Sequence, residues 1–294
     1  MTAIRHVEVV VPARNEQEHI DNCLHSVVRA GAALGAELPG TSWAITVVLD
    51  CCTDDTGPLA ARFGVHLLTT DTCVVGTARK VGTAAAINRA VGCGRALDTI
   101  WVACTDADTV VPEHWLTRQL AMAAEGADAV IGTAVPAGVG PEIYSRWLRR
   151  HELTEGHPHV HGANLGFRAD VYLRAGGFPE CAAGEDVKLV ERIRAITPRW
   201  VAVRNGGSNY CGGAHPNNFL SLAVYDRQRG AEARARRRAG GPPQHARHPN
   251  VRPPRRGQSG SRARHHRATC RAGRRRLRRT LPCRARPAAP CGRG

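Results

Sequence analysis

Apolar residues in the first two hundred positions form two kinds of run that alternate along the chain. Short continuous runs, typical of strands buried on both faces, occupy residues 6–12, 43–50, 64–68, 99–104 and 127–133. Between them, apolar residues recur at helical spacing, as at Ile20, Leu24 and Val27, or the segment is rich in alanine, as over 76–91. This alternation predicts an α/β fold with a mainly parallel sheet flanked by helices.

Acidic residues follow three of the predicted strands. Glu16 and Asp50 come after the first two, and Asp106 and Asp108 come after the strand at 99–104. Parallel strands place their carboxyl ends along one edge, where such sheets bind ligands, so these four carboxylates are expected to converge. Like charges close together resist desolvation unless a cation accompanies them, so the sequence predicts a cation at this edge.

Charge divides the chain into two unequal parts. Residues 227–294 contain 22 arginines, no lysine and one acid, a net charge of +21, whereas residues 1–226 carry 19 basic and 24 acidic residues, a net of −5. The basic part has no Phe, Tyr or Trp and only three large aliphatic residues, so it cannot bury enough surface to offset the entropy of ordering. We therefore predict a domain over 1–226 and a disordered tail rich in Arg, Pro, Gly and Ala over 227–294.

Two origins are open for this tail. Its Arg, Ala, Gly and Pro residues have GC-rich codons, so a GC-rich gene read in a shifted frame would give this composition. Alternatively, the tail is a basic arm that binds polyanions such as nucleic acid or anionic lipid. It lacks the aromatic side chains on which bases stack, so nucleic acid is not the partner we expect.

Several common sites are absent from the sequence. No G-x-G-x-x-G follows the first strand, no lysine follows a glycine as in a P-loop, and there is no G-x-S-x-G. The eleven cysteines include no C-x-x-C pair, and most are predicted to be small buried core residues, reduced as in a cytosol. No apolar run reaches the roughly 18 residues of a membrane span. We expect a cytoplasmic protein, with peripheral attachment to the inner membrane face as the alternative.

Six segments resemble, in order, the nucleotide-sugar-dependent glycosyltransferases of family 2, which have the GT-A fold. They are VVVPARNEQEHI at 9–20, VVLDCCTDDT at 47–56, GTARKVGTAA at 76–85, TDADT at 105–109, HGANLGFR with AGGF within 161–178, and GEDVKL at 184–189. Each match is weak by itself, but their order and spacing make the set specific. The resemblance implies transfer of a sugar from a nucleotide-sugar donor, expected to be a UDP-sugar, to the hydroxyl group of a glycan, a lipid or a small molecule.

In this resemblance TDADT occupies the place of the D-x-D motif. The segment is expected to be extended where it leaves the strand. Asp108 would bind Mg²⁺ or Mn²⁺, hard cations that take oxygen ligands from carboxylate and phosphate together, and Asp106 would contact the nucleotide. The competing interpretation is a turn at a strand end with two solvated aspartates.

The same resemblance assigns the nucleotide pocket. Pro12 and Glu16 would line the nucleoside, Asp50 would accept a hydrogen bond from the base, expected to be uracil, and Arg79 would lie near the diphosphate. Arg14 stands where the family often has an aromatic residue, and its guanidinium plane can stack on a base instead. The alternatives are an ordinary strand-end cap for Asp50 and an exposed helix arginine for Arg79.

GEDVKL supplies the catalytic carboxylates that the resemblance implies. Asp186 would be the general base of an inverting transfer, and Glu185 beside it would be an acceptor contact. The alternative is a pair of anions at a helix N-terminus. His161 and Asn164 would contact the acceptor. The histidines of HPHVH, at 157–161, would share one face of an extended segment, which is a metal-ligand pattern, but no further ligands stand at a recognisable spacing.

Two further classes of function stay open at the level of sequence. A retaining transferase or a nucleotidyltransferase could use the same fold. A non-catalytic basic protein could bind polyanions through the tail while the body serves as a scaffold. Binding of a nucleotide only in the presence of a divalent metal would separate the enzymes from the scaffold.

Overall fold

The computed structural model describes residues 2–151, 153–203 and 209–211, and the predicted tail and its boundary at residue 226 lie outside them. The strands are β1 (His6–Ala13), β2 (Ser42–Asp50), β3 (His66–Thr70), β4 (Ile100–Cys104), β5 (Thr109–Val110), β6 (Ala129–Gly132), β7 (Ala134–Pro136), β8 (Leu165–Arg168), β9 (Trp200–Val203) and β10 (Asn209–Cys211). The α-helices are α1 (Ile20–Glu37), α2 (Thr56–Ala61), α3 (Val75–Gly92), α4 (Trp115–Ala124), α5 (Pro141–Leu148), α6 (Ala169–Arg174) and α7 (Glu185–Ile196).

The main sheet has seven strands in the order β3-β2-β1-β4-β8-β6-β9. The four strands from β3 to β4 are parallel, as are β6 and β9. All five predicted strands are present, as β1, β2, β3, β4 and β6, and the predicted mainly parallel α/β fold is confirmed. Strand β8 was not predicted, and it runs antiparallel to both of its neighbours. A second sheet joins β5, β10 and β7.

Helices cover both faces of the sheet around β1, whose eight residues are all buried. Val7, Val9 and Val11 pack with α1 and α4 on one face, and Val10 packs with α3 and with β4 on the other. Because a strand in this position meets apolar neighbours on both faces, its sequence is mainly apolar rather than alternating, and buried Glu8 pairs with His6 and Arg89.

Helix α3 lies unusually close to the sheet at Gly82. A Cβ atom at this position would stand 2.5 Å from Cγ2 of Val48 and 3.0 Å from Cγ1 of Val10, so a larger residue would push the helix outward. Arg79, three residues earlier on the same helix, is buried. The close packing at Gly82 therefore keeps this part of α3, including Arg79, near the strands. In the described part of the chain, no helix is both long and apolar enough to span a bilayer.

Candidate active site

A cleft of about 620 Å³ lies over the carboxyl ends of β1, β2 and β4. Nine of the ten predicted site residues line it: Pro12, Glu16, Asp50, Arg79, Asp106, Asp108, His161, Glu185 and Asp186. They come from strand ends, from α3, from the start of α7 and from the segment before β8. The predicted convergence of carboxylates at one edge of the sheet is what the structure shows.

The D-x-D segment forms a turn between β4 and β5, so the expected extended geometry is wrong. The backbone N–H of Thr109 donates to the carbonyl of Asp106 at 3.0 Å, and this bond bends the chain back after the strand. The turn still presents both carboxylates to the same cleft. Asp108 is only 7% exposed, so the interpretation of two solvated aspartates does not describe it.

Negative charge is concentrated where Glu16 faces this turn. Burial and, to a smaller extent, the charges of Asp108, Asp106 and Asp54 together raise the pKa of Glu16 to about 8. A site that holds its carboxylates against such repulsion is suited to a cation. Within the described residues, no three or more His, Cys, Asp or Glu side chains are grouped so as to hold a metal ion. A cation here would therefore need oxygen ligands from a bound molecule or from water as well.

Asp50 organises the loop that follows β3. Its Oδ1 atom accepts hydrogen bonds from the hydroxyl groups of Thr70 and Thr72 and from the backbone N–H groups of Thr72 and Cys73, at 2.9 to 3.1 Å. The strand-end cap considered for Asp50 is thus present. None of these four bonds uses Oδ2, so capping the loop does not prevent that oxygen from accepting a hydrogen bond from a ligand.

A disulfide joins Cys51, the residue after Asp50, to Cys73 in the same loop, with 5.6 Å between their Cα atoms. The prediction of mostly buried, reduced cysteines is therefore wrong for this pair. It also fails for Cys93, which is exposed, and holds fully for Cys23 and Cys104, which are buried. The two partners meet because β2 and β3 are parallel neighbours whose carboxyl ends lie side by side. No local pattern marks this contact, since the cysteines are 22 residues apart.

Opening this disulfide is expected to destabilise the fold. Closing a loop of this length removes entropy from the unfolded chain, so Cys51→Ser should lower the free energy of unfolding by about 3 kcal/mol. The measurement is urea unfolding of the oxidised protein, with Cys93→Ser as a control that removes a free exposed thiol. Dithiothreitol should lower the stability of the wild type to that of Cys51→Ser. A reductant-insensitive unfolding curve would mean that the disulfide does not stabilise the protein.

The sequence left open whether Arg79 lies near the diphosphate or is an exposed arginine on a helix, and the structure excludes exposure. Its side chain is 5% exposed, and its two terminal nitrogens donate to the carboxylates of Glu185 and Asp106. Burial disfavours the cation, yet the charges of Asp106 and Glu185 outweigh it and raise the pKa of Arg79. The guanidinium therefore stays charged and occupied by two carboxylates at the inner wall of the cleft.

Glu185 and Asp186 stand in the first turn of α7, as the helix-terminus interpretation expected. Asp186 also accepts a hydrogen bond from the backbone N–H of Gly162 at 2.8 Å, across the cleft wall. Burial and the charge of Glu185 raise the pKa of Asp186 to about 6, against the opposing charge of Arg79 and two backbone N–H groups. A carboxylate with this pKa can accept a proton near neutral pH, which is the property of a general base.

Asn164 is the one predicted site residue whose side chain does not line the cleft. It is fully buried: Nε1 of Trp115 donates to its Oδ1 at 2.9 Å, and its Nδ2 donates to the carbonyl of Thr133 at 2.8 Å. Its position gives no support to an acceptor contact and indicates that it ties α4 to the start of β7.

The histidines of HPHVH form a row of rings, although 157–161 is not part of a strand. Ring centroids of His157 and His159 lie 6.2 Å apart, and those of His159 and His161 lie 6.3 Å apart. The described residues do not assemble these rings into a metal site. Burial, together with the neighbouring histidines, lowers the pKa of His161 to about 3, so it faces the cleft as a neutral hydrogen-bonding group.

The cleft lining also includes residues that were missed at the level of sequence, among them Cys73, Trp147 and His151. The rings of Trp147 and His151 are stacked, with centroids 4.2 Å apart and planes 5° from parallel. The spacing of four residues is a weak signal, because Trp147 lies on α5 whereas His151 lies beyond Leu148, where the helix ends. Cys73 carries no comparable local signal.

Comparison with known proteins gives a family and a fold. A family profile described as glycosyl transferase family 2 matches residues 8–174. S. aureus TarS is 16% identical, with a TM-score of 0.55 over 74% of this chain and 38% of TarS. TarS 1–349 in complex with UDP is 18% identical, with a TM-score of 0.53 over 69% of this chain and 59% of that one.

A third similar structure is the glucosyl-3-phosphoglycerate synthase from Mycobacterium tuberculosis in complex with Mn²⁺, UDP-glucose and glycerol 3-phosphate. It is 19% identical, with a TM-score of 0.51 over 75% of this chain and 76% of that one. No curated protein matches the chain in sequence. This chain spans less than two thirds of the TarS chains, and identities at this level establish a shared fold.

Proposed function

Because this chain belongs to glycosyl transferase family 2, we propose that it transfers a sugar from a nucleoside diphosphate donor, a UDP-sugar, to a hydroxyl acceptor. Membership of the family makes the chain a glycosyltransferase. The observation that carries the finer proposal is that one cleft holds both the D-x-D carboxylates and Asp186. We place this activity in residues 1–226, apart from the basic tail.

The donor side of the cleft suits a nucleoside diphosphate. Asp50 is buried at the end of β2, and its Oδ2 would accept from the N–H of a uracil base. Pro12 and Glu16 would line the nucleoside, and Asp106 would contact the nucleotide. Two of the similar structures are complexes with UDP or UDP-glucose, which supports a UDP-sugar as the first donor class to test.

The acidic centre fits Mg²⁺ or Mn²⁺. The charges of Asp108 and Asp106 add to burial in raising the pKa of Glu16, and carboxylate oxygens are the ligands that both ions prefer. Asp108 would hold the ion together with oxygens of the diphosphate, since the described side chains do not form a complete set of ligands. A bound divalent ion would supply positive charge beside the leaving diphosphate.

Asp186 would act on the acceptor. Its carboxylate would take the proton of the acceptor hydroxyl as that oxygen forms a bond to the anomeric carbon, while the bond from this carbon to the diphosphate oxygen breaks on the opposite side. The result is inversion at the anomeric carbon. Above its pKa of about 6 the group is mainly ionised and ready to accept this proton. Neutral His161 would offer a hydrogen bond to the acceptor.

A thermal-shift experiment tests the donor and the metal together. We expect UDP with Mn²⁺ or Mg²⁺ to stabilise the protein by about 2.7 kcal/mol when the ligand is at a hundred times its Kd, since ligands that bind only the folded state stabilise by mass action. UDP without metal, metal without nucleotide, and GDP or CDP with metal are the controls. If none of the nucleotides raises the melting temperature, with or without metal, the proposal is contradicted. If GDP with metal stabilises the protein and UDP does not, the proposed donor becomes a GDP-sugar.

A further inference from the structure

One buried guanidinium bridges two elements that are distant in the sequence. Arg79 of α3 donates to Asp106, 27 residues away in the turn after β4, and to Glu185, 106 residues away at the start of α7. Asp106 belongs to the D-x-D turn, and Glu185 adjoins Asp186. The proposed donor side and the proposed base side of the cleft are thus connected through a single side chain.

The packing around the guanidinium leaves it little freedom. A Cβ atom at Gly162 would lie 2.6 Å from Cζ of Arg79, so a larger residue here would displace the guanidinium from its present position. The N–H of the same Gly162 donates to Asp186. Three segments that form the cleft therefore meet at Arg79: the D-x-D turn, the start of α7 and the segment that presents His161.

We propose that Arg79 is a positioning residue, which holds Asp106 and Glu185 at once and thereby fixes the placement of the base Asp186 relative to the donor. This inference rests on the proposed function. Arginine suits the task because its rigid planar fork donates to two carboxylates simultaneously, which the single ammonium of lysine does not reproduce. The role goes beyond contact with the diphosphate, since both terminal nitrogens are already engaged within the protein.

The contact between Arg79 and Glu185 should be detectable through the pKa of Asp186, because both charges act on this carboxyl group. Glu185 raises the pKa of Asp186 and Arg79 lowers it. Asp106 pairs with the terminal nitrogen of Arg79 that does not contact Glu185. Burial keeps two other nearby groups neutral, since it lowers the pKa of His161 to about 3 and raises that of Cys104 to about 12. Loss of Arg79 would remove the compensating cation and leave Glu185 uncompensated, so the pKa of Asp186 would rise.

The test measures this titration directly. The Asp186 carboxyl signal of ¹³C-aspartate-labelled full-length protein, assigned by its loss in Asp186→Asn, is followed against pH by NMR. Arg79→Gln should raise its pKa by about 1 to 3 units, the effect of one opposite charge at close range. Arg89→Gln is the matched control: Arg89 lies on the same helix and pairs with buried Glu8, outside the cleft. An unshifted Asp186 in Arg79→Gln would overturn the inference, as would an equal shift in Arg89→Gln.

Arg79→Lys distinguishes the effect of losing the double contact from the effect of losing the positive charge. It also provides a second test if Arg79→Gln does not fold. Lysine retains the cation but not the double contact, so kcat should fall by about tenfold to a hundredfold, the scale of small misplacements, with the donor KM within about twofold of wild type. A raised donor KM with unchanged kcat would instead make Arg79 a donor ligand and overturn positioning. The NMR titration needs no substrate, so it remains decisive even if the proposed transfer fails.

Discussion

Asp186→Asn is expected to lower glycosyl transfer by at least about a hundredfold, the usual scale of a general base, while donor binding stays at wild-type strength. An amide nitrogen and oxygen replace the two carboxylate oxygens, so the side chain keeps its size but can no longer take a proton from the acceptor. The variant should fold, because the side-chain oxygen of asparagine can still accept the hydrogen bond from the N–H of Gly162.

The measurements are kcat with a saturating donor and the Kd of UDP with Mn²⁺ by calorimetry. Asp170→Asn serves as the control, since Asp170 lies on α6 and does not line the cleft. Transfer at the normal rate by Asp186→Asn would show that the base is another group or that the mechanism is not inverting. Equal losses in both variants would point to a general effect on the fold.

Asp108→Ala is expected to abolish metal-dependent binding of the nucleotide and to leave the fold intact. Substitution of residues that only support metal ligands already costs about tenfold to a hundredfold in affinity, so loss of a direct ligand should cost more than about a hundredfold. The turn should survive, because the bond from the N–H of Thr109 to the carbonyl of Asp106 involves only the backbone.

Calorimetry of UDP with and without Mn²⁺ measures this effect. Asp98→Ala is the control: Asp98 is exposed and precedes β4, whereas Asp108 follows it. A second readout follows from the repulsion in the cleft. Without the charge of Asp108, the pKa of Glu16 should fall from about 8 towards its ordinary value. Metal-dependent binding at wild-type strength in Asp108→Ala would refute the assignment of the metal ligand.

The arrangement of cleft residues could be anticipated wherever a local pattern carried the information. β1 and β4 are mainly apolar because each is covered on both faces, and the acids that follow them mark the carboxyl edge of the sheet. The clustering of Glu16, Asp50, Asp106 and Asp108 then follows from parallel strands alone. The order of the family-like segments added Asp186 and Arg79, and both line the cleft.

Other features depend on which distant segments become neighbours. Cys51 and Cys73 meet only because β2 pairs with β3, and Asn164 is buried where it bonds Trp115 at the start of α4 and Thr133 just before β7. The D-x-D segment bends into a turn rather than continuing β4, which no count of apolar residues reveals. Strand β8 escaped prediction because its four residues lie inside a longer segment without clear periodicity.

The sequence by itself determined the class of fold, the edge of the sheet that carries the chemistry and the family, because strand periodicity and the residues that follow each strand are local properties of the chain. Only the tertiary structure decided that Arg79 binds Asp106 and Glu185 together and that the pKa of Asp186 is raised towards neutral pH. It also decided that Asp50 accepts hydrogen bonds from the loop that the disulfide closes. These depend on strand order and on burial. Both are set by packing between distant segments, such as those of Arg79 and Glu185, 106 residues apart, which the local pattern of apolar residues does not encode.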